Sequence, residues 1–454
     1  MALKSVNPAT GQTVKIVDTW NETQLDEALF EVSVATPKWA ALSFQARAEA
    51  LRRVAAVLRA RKVDLARTMT LEMGKLINEA RGEIEKCAWV CEYYAENGAR
   101  FLADEDIESD AGRSLVIYQP LGTVLAVMPW NFPFWQVFRF AAPALMAGNT
   151  AVLKHASNVP GCALAIEEVF IEAGLPANVF RTLLIPAGRV NRVIEDKRVH
   201  AVTLTGSEVA GRAVAANAGH NIKKTVLELG GSDPFIVLED ADLDAAVTTA
   251  VTSRFLNAGQ SCIAAKRFIP VAAIADEFVA RFKMAVDVLR CGDPLAEDVT
   301  LAPMARLDLR DDLHQQVIES ITKGAVAVTG CSPMAGQGAY YPASILDQVA
   351  PNMRAYREEF FGPVALILRA RNEADAIRIA NDSPFGLGGS VWTRDTARGE
   401  RVARQLQCGA AFVNGLVKSD PRLPFGGVKN SGYGRELSHH GIREFVNAKT
   451  IWMK

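Results

Sequence analysis

The stretch TAVLKHASNVPGCALAIEEVFIEA at residues 150–173 contains the unit from which the fold is built. A short apolar run, Thr150–Leu153, is followed by a polar turn with Pro160 and Gly161 and then by a helix-like segment, Ala163–Ala173. Short apolar runs that end at Gly or Pro and alternate with helices are typical of a parallel sheet covered on both faces. The stretch therefore predicts one strand–helix unit of an α/β fold.

The same pattern extends along the chain in both directions, and it resumes after Gly230, which indicates a second α/β unit. Helices are predicted over residues 43–70, with Ser43 as N-cap, and over Glu83–Asn97. The further predicted strands are Thr123–Met128, Val202–Thr205, Phe235–Leu238, Val364–Leu368 and Ala410–Val413, and the further helices are Ala210–Ala218, Ala275–Val288 and Ala374–Asn381.

Two strand-like segments, Asp110–Tyr118 and Phe445–Met453, lie outside both units. Each is an edge that can pair with another strand, in this chain or in another subunit. Ordinary peripheral strands of one subunit explain the pattern equally well, so both interpretations stay open.

The composition excludes several classes of protein. The 454 residues carry 50 basic and 51 acidic side chains, a net charge of −1, so no strong field attracts nucleic acid or an anionic membrane. Apolar residues make up 49% and charged residues 22%, which is typical of a globular protein. The most apolar stretch, Leu121–Gly148, is interrupted by three prolines, and the N-terminus lacks the apolar core of a secretion signal. Seven unpatterned cysteines favour a reducing compartment, so we expect a cytoplasmic protein with no membrane span.

Common signatures of metal and nucleotide sites are missing from the sequence. No G-x-G-x-x-G follows a predicted strand, and neither a Walker A loop nor an H-E-x-x-H motif is present. Cys87 and Cys91 lie one helical turn apart but have no further ligands nearby, so we interpret them as core thiols. No metal site is predicted.

Three segments contain residues suited to acyl chemistry. Cys262 follows the polar turn NAGQS, where backbone N–H groups can converge on an exposed thiolate, although a merely buried cysteine fits this segment too. Glu228 interrupts an apolar run that ends in two glycines. A carboxylate in such a run can serve as a general base or can be a structural residue held in a salt bridge. Asn131, between Pro129 and Pro133, can direct its amide at an oxyanion or can simply form a turn.

Two further segments contain a candidate nucleotide site and a glycine-rich loop. Glu358–Pro363 places Glu359 and the aromatic Phe361 beside a rigid Gly-Pro, which suits a ribose and a planar ring. Pro424–Glu436 is a glycine-rich loop that leads into a helix. Each of the five segments alone fits more than one interpretation, whereas their combined order and spacing fit only one.

In that order the segments resemble the aldehyde dehydrogenase superfamily, from Asn7–Gly11 to Ala448–Thr450. The resemblance implies that Cys262 is the nucleophile, Glu228 the general base and Asn131 an oxyanion donor. It implies an α/β fold of two Rossmann-like doubly wound domains plus a small β oligomerisation arm, and assembly as a homodimer or homotetramer. The implied dinucleotide-binding domain spans residues 1–105 and 122–229, the catalytic domain 230–443, and the arm 106–121 and 444–454.

The family binds its dinucleotide without a G-x-G-x-x-G fingerprint. Many NAD-preferring members have Glu where this chain has Ser157, and a carboxylate there repels a 2′-phosphate that Lys154 can pair with. NADP is therefore expected as cofactor, with NAD as the weaker alternative. The residues that the resemblance places at the cofactor are Trp130, Lys154, His155, Ala156, Ser157, Gly206, Ser207, Leu229, Glu359 and Phe361.

Substrate choice depends on two residues. Arg139 follows Asn131 by about two helical turns, so it can reach the aldehyde tunnel and bind a substrate carboxylate, together with Ser419. An ion pair between Arg139 and an Asp or Glu is the alternative. Within the superfamily the chain most resembles the short bacterial NADP-type succinate-semialdehyde dehydrogenases. This resemblance implies oxidation of succinate semialdehyde to succinate through a cysteine thioester. The alternatives are a broad dehydrogenase of apolar or aromatic aldehydes and a catalytically vestigial binding protein.

Overall fold

The computed structural model describes residues 2–454. Its first sheet has six strands in the order β19-β9-β8-β5-β6-β7, all parallel apart from β19. The strands are β5 (Thr123–Met128), β6 (Thr150–His155), β7 (Phe180–Thr182), β8 (Val199–Thr205), β9 (Lys224–Glu228) and β19 (Gly432–Tyr433). The chain leaves β5 toward β6 and β7 and then returns to the other side of β5 to form β8, so the carboxyl ends of β5 and β8 flank a crevice at this reversal.

Helices cover both faces of this sheet, because successive side chains of a strand point to opposite sides. Val124 and Ala126 pack into one apolar cluster with the long N-terminal helices, whereas Leu125 packs into another with α1, α7 and α8. The helices of this half are α1 (Glu22–Ala40), α2 (Phe44–Ala60), α3 (Lys62–Met73), α4 (Ile77–Phe101), α5 (Trp135–Met146), α6 (Pro160–Glu172), α7 (Val190–Glu195) and α8 (Glu208–His220).

The second sheet has seven strands in the order β12-β13-β14-β11-β10-β16-β17, with β12 antiparallel to its neighbour. The strands are β10 (Asp233–Val237), β11 (Ala265–Pro270), β12 (Val326–Thr329), β13 (Ser344–Asp347), β14 (Val364–Ile367), β16 (Gly388–Trp392) and β17 (Ala410–Val413). It is packed between α9 (Leu243–Phe255) and α10 (Ala275–Asp287) on one face and α11 (Leu307–Thr322), α12 (Arg354–Arg357), α13 (Glu373–Asn381) and α14 (Thr396–Ala403) on the other. The two doubly covered sheets confirm the predicted fold class.

The two outlying segments pair with each other. β4 (Arg113–Pro120) and β20 (Val446–Met453) form an antiparallel pair that β3 (Glu105–Asp106) extends to three strands. Two short antiparallel pairs, β1 (Ala2–Val6) with β2 (Thr13–Asp18) and β15 (Phe385–Gly386) with β18 (Val428–Lys429), complete the strands. The helix α15 (Ser438–Arg443) precedes β20. No helix among residues 2–454 is long and apolar enough to cross a membrane.

The structure differs from the sequence predictions at several elements, of which three are described here. The helix predicted over residues 43–70 is two helices, because the backbone at Arg61 leaves the helical region between α2 and α3. α1 was not predicted at all. Finally, β19 pairs with β9, so this part of the segment predicted for the catalytic domain (230–443) belongs to the first sheet instead.

Candidate active site

A cavity of about 310 Å³ lies between the two halves, beside the crevice at the end of β5. Residues from both halves line it, with the predicted nucleophile Cys262 on one side and the helix faces of α4 and α5 on the other. Aromatic and aliphatic side chains form much of the wall: Phe132, Trp135, Leu256, Ile263, Leu416, Val417 and Phe425. A mostly apolar cleft with a few polar groups is the usual form of a small-molecule site.

The loop that carries Cys262 has an unusual backbone. Asn257, Ala258 and Gly259 follow one another with φ of 54°, 52° and 71°, in the left-handed region that costs energy for residues with a Cβ. A Cβ at Gly259 would lie 2.4 Å from the Gly362 carbonyl oxygen, so only glycine fits there. Such strain persists where the surroundings hold it, and here it directs the turn that ends at Cys262 into the cavity.

The Asn131 loop is tied to this strained turn. The Asn131 Nδ2 donates to the Gln260 carbonyl oxygen at 3.0 Å, and the Asn257 Nδ2 donates to the Asn131 carbonyl oxygen at 2.7 Å. The Asn131 Oδ1 accepts from the Gln136 Nε2 at 3.1 Å, which sets the orientation of the amide. One Nδ2 hydrogen is thereby used and the other is left for a ligand, as an oxyanion donor requires.

The Cys262 side chain is only partly exposed and lines the cavity. Burial raises the pKa of its thiol to about 12, against the opposing effect of the positive charges of Lys266 and Arg139. In this state the sulfur is therefore a thiol at neutral pH, and attack on a substrate requires a proton acceptor. Lys266 is fully buried and donates to the carbonyl oxygens of Ser261 and Cys262 at 2.6 and 2.7 Å, which anchors the nucleophile's backbone from below.

Glu228 ends β9, and its carboxyl group is buried with neither oxygen hydrogen-bonded among the described residues. Burial raises its pKa well above 4.5, as does the negative charge of Glu436, while Arg139 and Arg435 act in the opposite sense. A carboxyl group with a raised pKa and unused oxygens suits general-base work. Glu228 does not form the salt bridge of the alternative interpretation, because the nearby Arg139 pairs with Glu436 instead.

Arg139 lines the cavity, but its guanidinium is paired with Glu436, and both side chains are buried. It also lies 4.6 Å from the ring centre of Phe425 and donates to the Thr205 Oγ1 at 3.4 Å. The alternative of an ion pair within the protein is therefore confirmed, and an Arg139 charge left free for a substrate carboxylate is not present. Ser419 also lines the cavity, as predicted for a substrate-binding residue.

The residues predicted to hold the adenosine part of a dinucleotide lie at the carboxyl end of β6 and beyond. The Lys154 ammonium is buried, burial lowers its pKa, and among residues 2–454 it has no hydrogen-bond or ion-pair partner. A buried cation without a partner calls for an anion, so this end of the strand fits a nucleotide phosphate or ribose. Ser157 is exposed nearby and places no carboxylate there, and Ala156 is half-buried.

The ring of His155, a residue predicted to lie at the cofactor, makes its polar contacts within the protein. Its Nδ1 accepts from the Ala156 amide at 2.9 Å and its Nε2 contacts the Pro133 carbonyl oxygen at 2.9 Å. Burial lowers its pKa to about 4, so the ring is neutral and the Nε2 donates. Because both ring nitrogens are used within the protein, the imidazole anchors the loop of Asn131 and is not free to bind a cofactor.

The start of α8 provides donors for an anion. Ser207 is the N-cap, its Oγ accepts from the Ala210 amide at 3.3 Å, and a Cβ at Gly206 would meet only Leu204 at 3.6 Å. The unpaired amides of the first helical turn favour phosphate. Leu229 packs so closely against Gly211 that a Cβ there would lie 2.6 Å from its side chain, which holds α8 against the sheet.

Glu359 and Phe361 lie on the other side of Cys262. The Glu359 Oε1 accepts from the Gly231 amide and pairs with Lys266, each at 3.1 Å, and the Phe361 ring meets Trp130 edge-on at 5.8 Å between centres. A Cβ at Gly230 would lie 2.5 Å from the Glu359 Oε2, so that glycine admits the carboxylate. The predicted riboside-binding residues thus lie next to the nucleophile loop.

Sequence reasoning missed several residues that position this site. Lys75 pairs with Glu83 and donates to the Asn131 carbonyl oxygen at 2.9 Å, and the Glu83 Oε1 accepts from the Phe134 and Trp135 amides at 2.9 Å. Both residues hold the loop of Asn131 against α4. In the sequence Lys75 precedes a charged helix and Glu83 belongs to it, and charged residues in such a segment are usually solvent-exposed. Only the spacing of the apolar residues of α4 indicates that one face of this helix is buried.

Comparison with known proteins places these features in a family. The model of the aldehyde dehydrogenase family matches residues 1–451. The chain is 51% identical over 453 residues, all of both chains, to a probable NADP⁺ succinate-semialdehyde dehydrogenase of Synechocystis sp., and 48% identical over 448 residues to a NAD(P)⁺ succinate semialdehyde dehydrogenase of Escherichia coli, covering 99% and 97%. Among solved structures, succinic semialdehyde dehydrogenase of Streptococcus pyogenes with NADP⁺ superposes with a TM-score of 0.98, 38% identity and full coverage of both chains.

Proposed function

The chain belongs to the aldehyde dehydrogenase family, and from that premise we propose that it oxidises succinate semialdehyde to succinate, with NADP⁺ preferred over NAD⁺. The observation that carries the proposal is the cavity lined by Cys262, with the loop of Asn131 hydrogen-bonded to the loop of Cys262 and with the unpartnered carboxyl of Glu228 buried at the end of β9. The substrate and the cofactor are supported by relatives that are about 50% identical and are named for this activity.

In the first step the Cys262 thiol gives its proton to solvent water in the open cavity, and its sulfur forms a bond with the aldehyde carbon. The carbonyl oxygen becomes an oxyanion, which the second Nδ2 hydrogen of Asn131 and the Cys262 amide can bind, since that amide has no acceptor among residues 2–454. One such donor contributes about 3 kcal/mol to transition-state stabilisation. When bound, NADP⁺ supplies the hydride acceptor, and loss of a hydride from this carbon leaves a thioester on Cys262.

In the second step the thioester on Cys262 is hydrolysed. Glu228 takes a proton from the attacking water, and its raised pKa makes it a stronger base than an exposed carboxylate. Its carboxyl lies against Gly426, where a Cβ would be 2.8 Å from the Glu228 Oε1, so it reaches the thioester through water or by turning toward the cavity. The products are succinate and the free thiol.

The assay that tests the proposal compares succinate semialdehyde with butanal, hexanal and benzaldehyde, each with NADP⁺ and with NAD⁺. We expect the highest kcat/KM for succinate semialdehyde with NADP⁺. Faster turnover of hexanal or benzaldehyde would contradict the proposal and indicate a dehydrogenase of broad aldehyde specificity. The ion pair between Arg139 and Glu436 favours this second candidate, because it neutralises the arginine charge that could bind a substrate carboxylate.

We expect Ser157→Glu to lower the NADP⁺ to NAD⁺ ratio of kcat/KM by about 10- to 100-fold, the size of one lost charge-assisted contact. A carboxylate at this exposed position repels the 2′-phosphate that the partnerless Lys154 ammonium attracts. Ser332→Glu, the same change at an exposed loop residue, is the control and keeps the ratio. An unchanged ratio in Ser157→Glu would refute this account of cofactor choice.

We also propose a cytosolic homodimer or homotetramer. Support comes from the free state of all seven cysteines and from the exposed Trp452 and Met453 on β20, at the edge of the small sheet. Light scattering of the purified protein tests the assembly, and a monomeric mass would contradict it.

A further inference from the structure

Four charged residues line the cavity on one side: Glu79, Glu83 and Lys86 of α4, and Lys75, which precedes that helix. In three of these the charged group is partnered by an opposite charge or by a backbone amide. Lys75 and Glu83 pair with each other, and Glu79 accepts from the Asn257 amide at 3.1 and 3.2 Å. Lys86 is the exception, because among residues 2–454 no carboxylate lies within ion-pairing distance of its ammonium.

The contacts of Lys86 leave hydrogens free to bind a ligand. Its Nζ donates to the Ser419 Oγ at 2.9 Å and lies 4.1 Å from the centre of the Trp135 ring, and the Trp135 Nε1 donates to the same Ser419 oxygen at 3.0 Å. An ammonium and an indole N–H can only donate, so the Ser419 oxygen is the acceptor of both bonds. The Ser419 hydrogen therefore points elsewhere, and among the described residues it has no acceptor.

The charges around Lys86 do not neutralise it. Arg139 is cationic and paired with Glu436, and the Asp420 carboxylate pairs with Arg422 at 2.7 Å. Burial lowers the pKa of Lys86 to about 8, with the charge of Arg139 acting in the same sense. The groups that act in the opposite sense are Cys87, Glu83 and Asp420. A bound anion would restore the charge balance that this half-buried ammonium lacks.

We propose that Lys86, with the hydroxyl of Ser419, binds the distal carboxylate of the substrate and is the residue that selects an ω-carboxy aldehyde. Both residues line the same cavity as Cys262, so a short aldehyde can place its carbonyl at the sulfur and its carboxylate at Lys86. The inference rests on the proposed function and adds to it the cation that the paired Arg139 does not supply.

The test compares kcat/KM for succinate semialdehyde with that for butanal, which has the same carbon chain without the carboxylate. In Lys86→Met we expect kcat/KM for succinate semialdehyde to fall by about 10- to 100-fold, mainly through a higher KM, with a much smaller change for butanal. Lys86→Arg retains the charge and should recover part of the loss. Lys62→Met is the matched control, since Lys62 on α3 is a partly exposed lysine outside the cavity.

A second measurement uses the wild-type enzyme alone, so it does not depend on the folding of a variant. The ammonium is lost as the pH rises through the Lys86 pKa of about 8, so KM for succinate semialdehyde should rise above that pH while KM for butanal does not. In Lys86→Met this difference between the two aldehydes should disappear.

The outcomes separate the two proposals. A wild-type enzyme without preference for succinate semialdehyde over butanal would overturn the proposed function. A wild-type preference that survives in Lys86→Met, or an equal loss for both aldehydes, would overturn the role of Lys86 and leave the function in place. A preference lost in Lys86→Met and partly recovered in Lys86→Arg would support both.

Discussion

A Cys262→Ala variant is expected to lose oxidation of every aldehyde by about 10⁴-fold or more, because the thioester route has no other nucleophile. Cys262 is the cysteine that lines the cavity beside Asn131, whereas Cys87, Cys91 and Cys162 are fully buried in the core of the first half. None of these can replace it without unfolding that core.

The measurement is the rate of cofactor reduction with succinate semialdehyde and with butanal, at saturating NADP⁺. Cys408→Ala is the matched control, since Cys408 is also partly exposed but lies on the second half, outside the cavity. Thermal melting and binding of NADP⁺ to Cys262→Ala show whether the fold and the cofactor site persist. A folded Cys262→Ala variant with more than about a hundredth of wild-type activity would exclude the cysteine mechanism.

Local sequence predicted about half of the strands of the two large sheets, each of them an apolar run close to a Gly or Pro. Thr123–Met128 and Ala410–Val413 form strands with the predicted bounds, and both belong to the parallel sheets. By contrast, β19 has two residues and pairs with β9 some two hundred positions earlier in the chain. No local pattern predicts such a pairing, because its stability comes from the sheet that it joins.

The candidate site divides in the same way. The sequence motifs predicted Cys262 and Asn131, and the structure brings their loops into contact through the Gln260 carbonyl oxygen. The partner of Arg139 could not be predicted, because Glu436 lies far along the chain and both the ion pair and a substrate carboxylate satisfy a buried arginine.

Lys86 shows why a charged helix misleads sequence reasoning. The sequence around Lys86, between Glu85 and Cys87, predicts a solvent-exposed helix face, because a lysine in a charged helix is usually exposed. The structure places its ammonium against Trp135 and Ser419, which come from α5 and from a loop more than three hundred residues later. Burial of this kind follows from tertiary packing alone, so its consequence for substrate choice is visible only in three dimensions.

Glu228→Gln is expected to lower steady-state turnover by about 10²- to 10⁴-fold, the usual effect of losing a general base. Glutamine keeps the shape of the side chain but cannot take the proton of the hydrolytic water. Because Glu228 has no hydrogen bond to lose among the described residues, the variant should fold and melt like the wild type.

The variant should still form the thioester, since Asn131 and Cys262 are unchanged. Rapid mixing with succinate semialdehyde and NADP⁺ should therefore give a burst of reduced cofactor close to one per site, followed by slow turnover. Glu72→Gln is the control: Glu72 is another buried carboxyl group with a raised pKa, but it accepts from the Gly161 and Cys162 amides outside the cavity. We expect that control to lower thermal stability and to leave turnover within a few-fold of wild type.

The pH dependence distinguishes a base from a structural carboxyl. Burial and the neighbouring Glu436 raise the Glu228 pKa, so the carboxylate that hydrolyses the thioester forms only as the pH rises past that elevated value. Wild-type hydrolysis should therefore increase with pH along a limb well above 4.5, and Glu228→Gln should lack that limb. Slow turnover without a burst would instead assign Glu228 to removal of the Cys262 proton, because a thiol with a pKa of about 12 needs a base before it can attack.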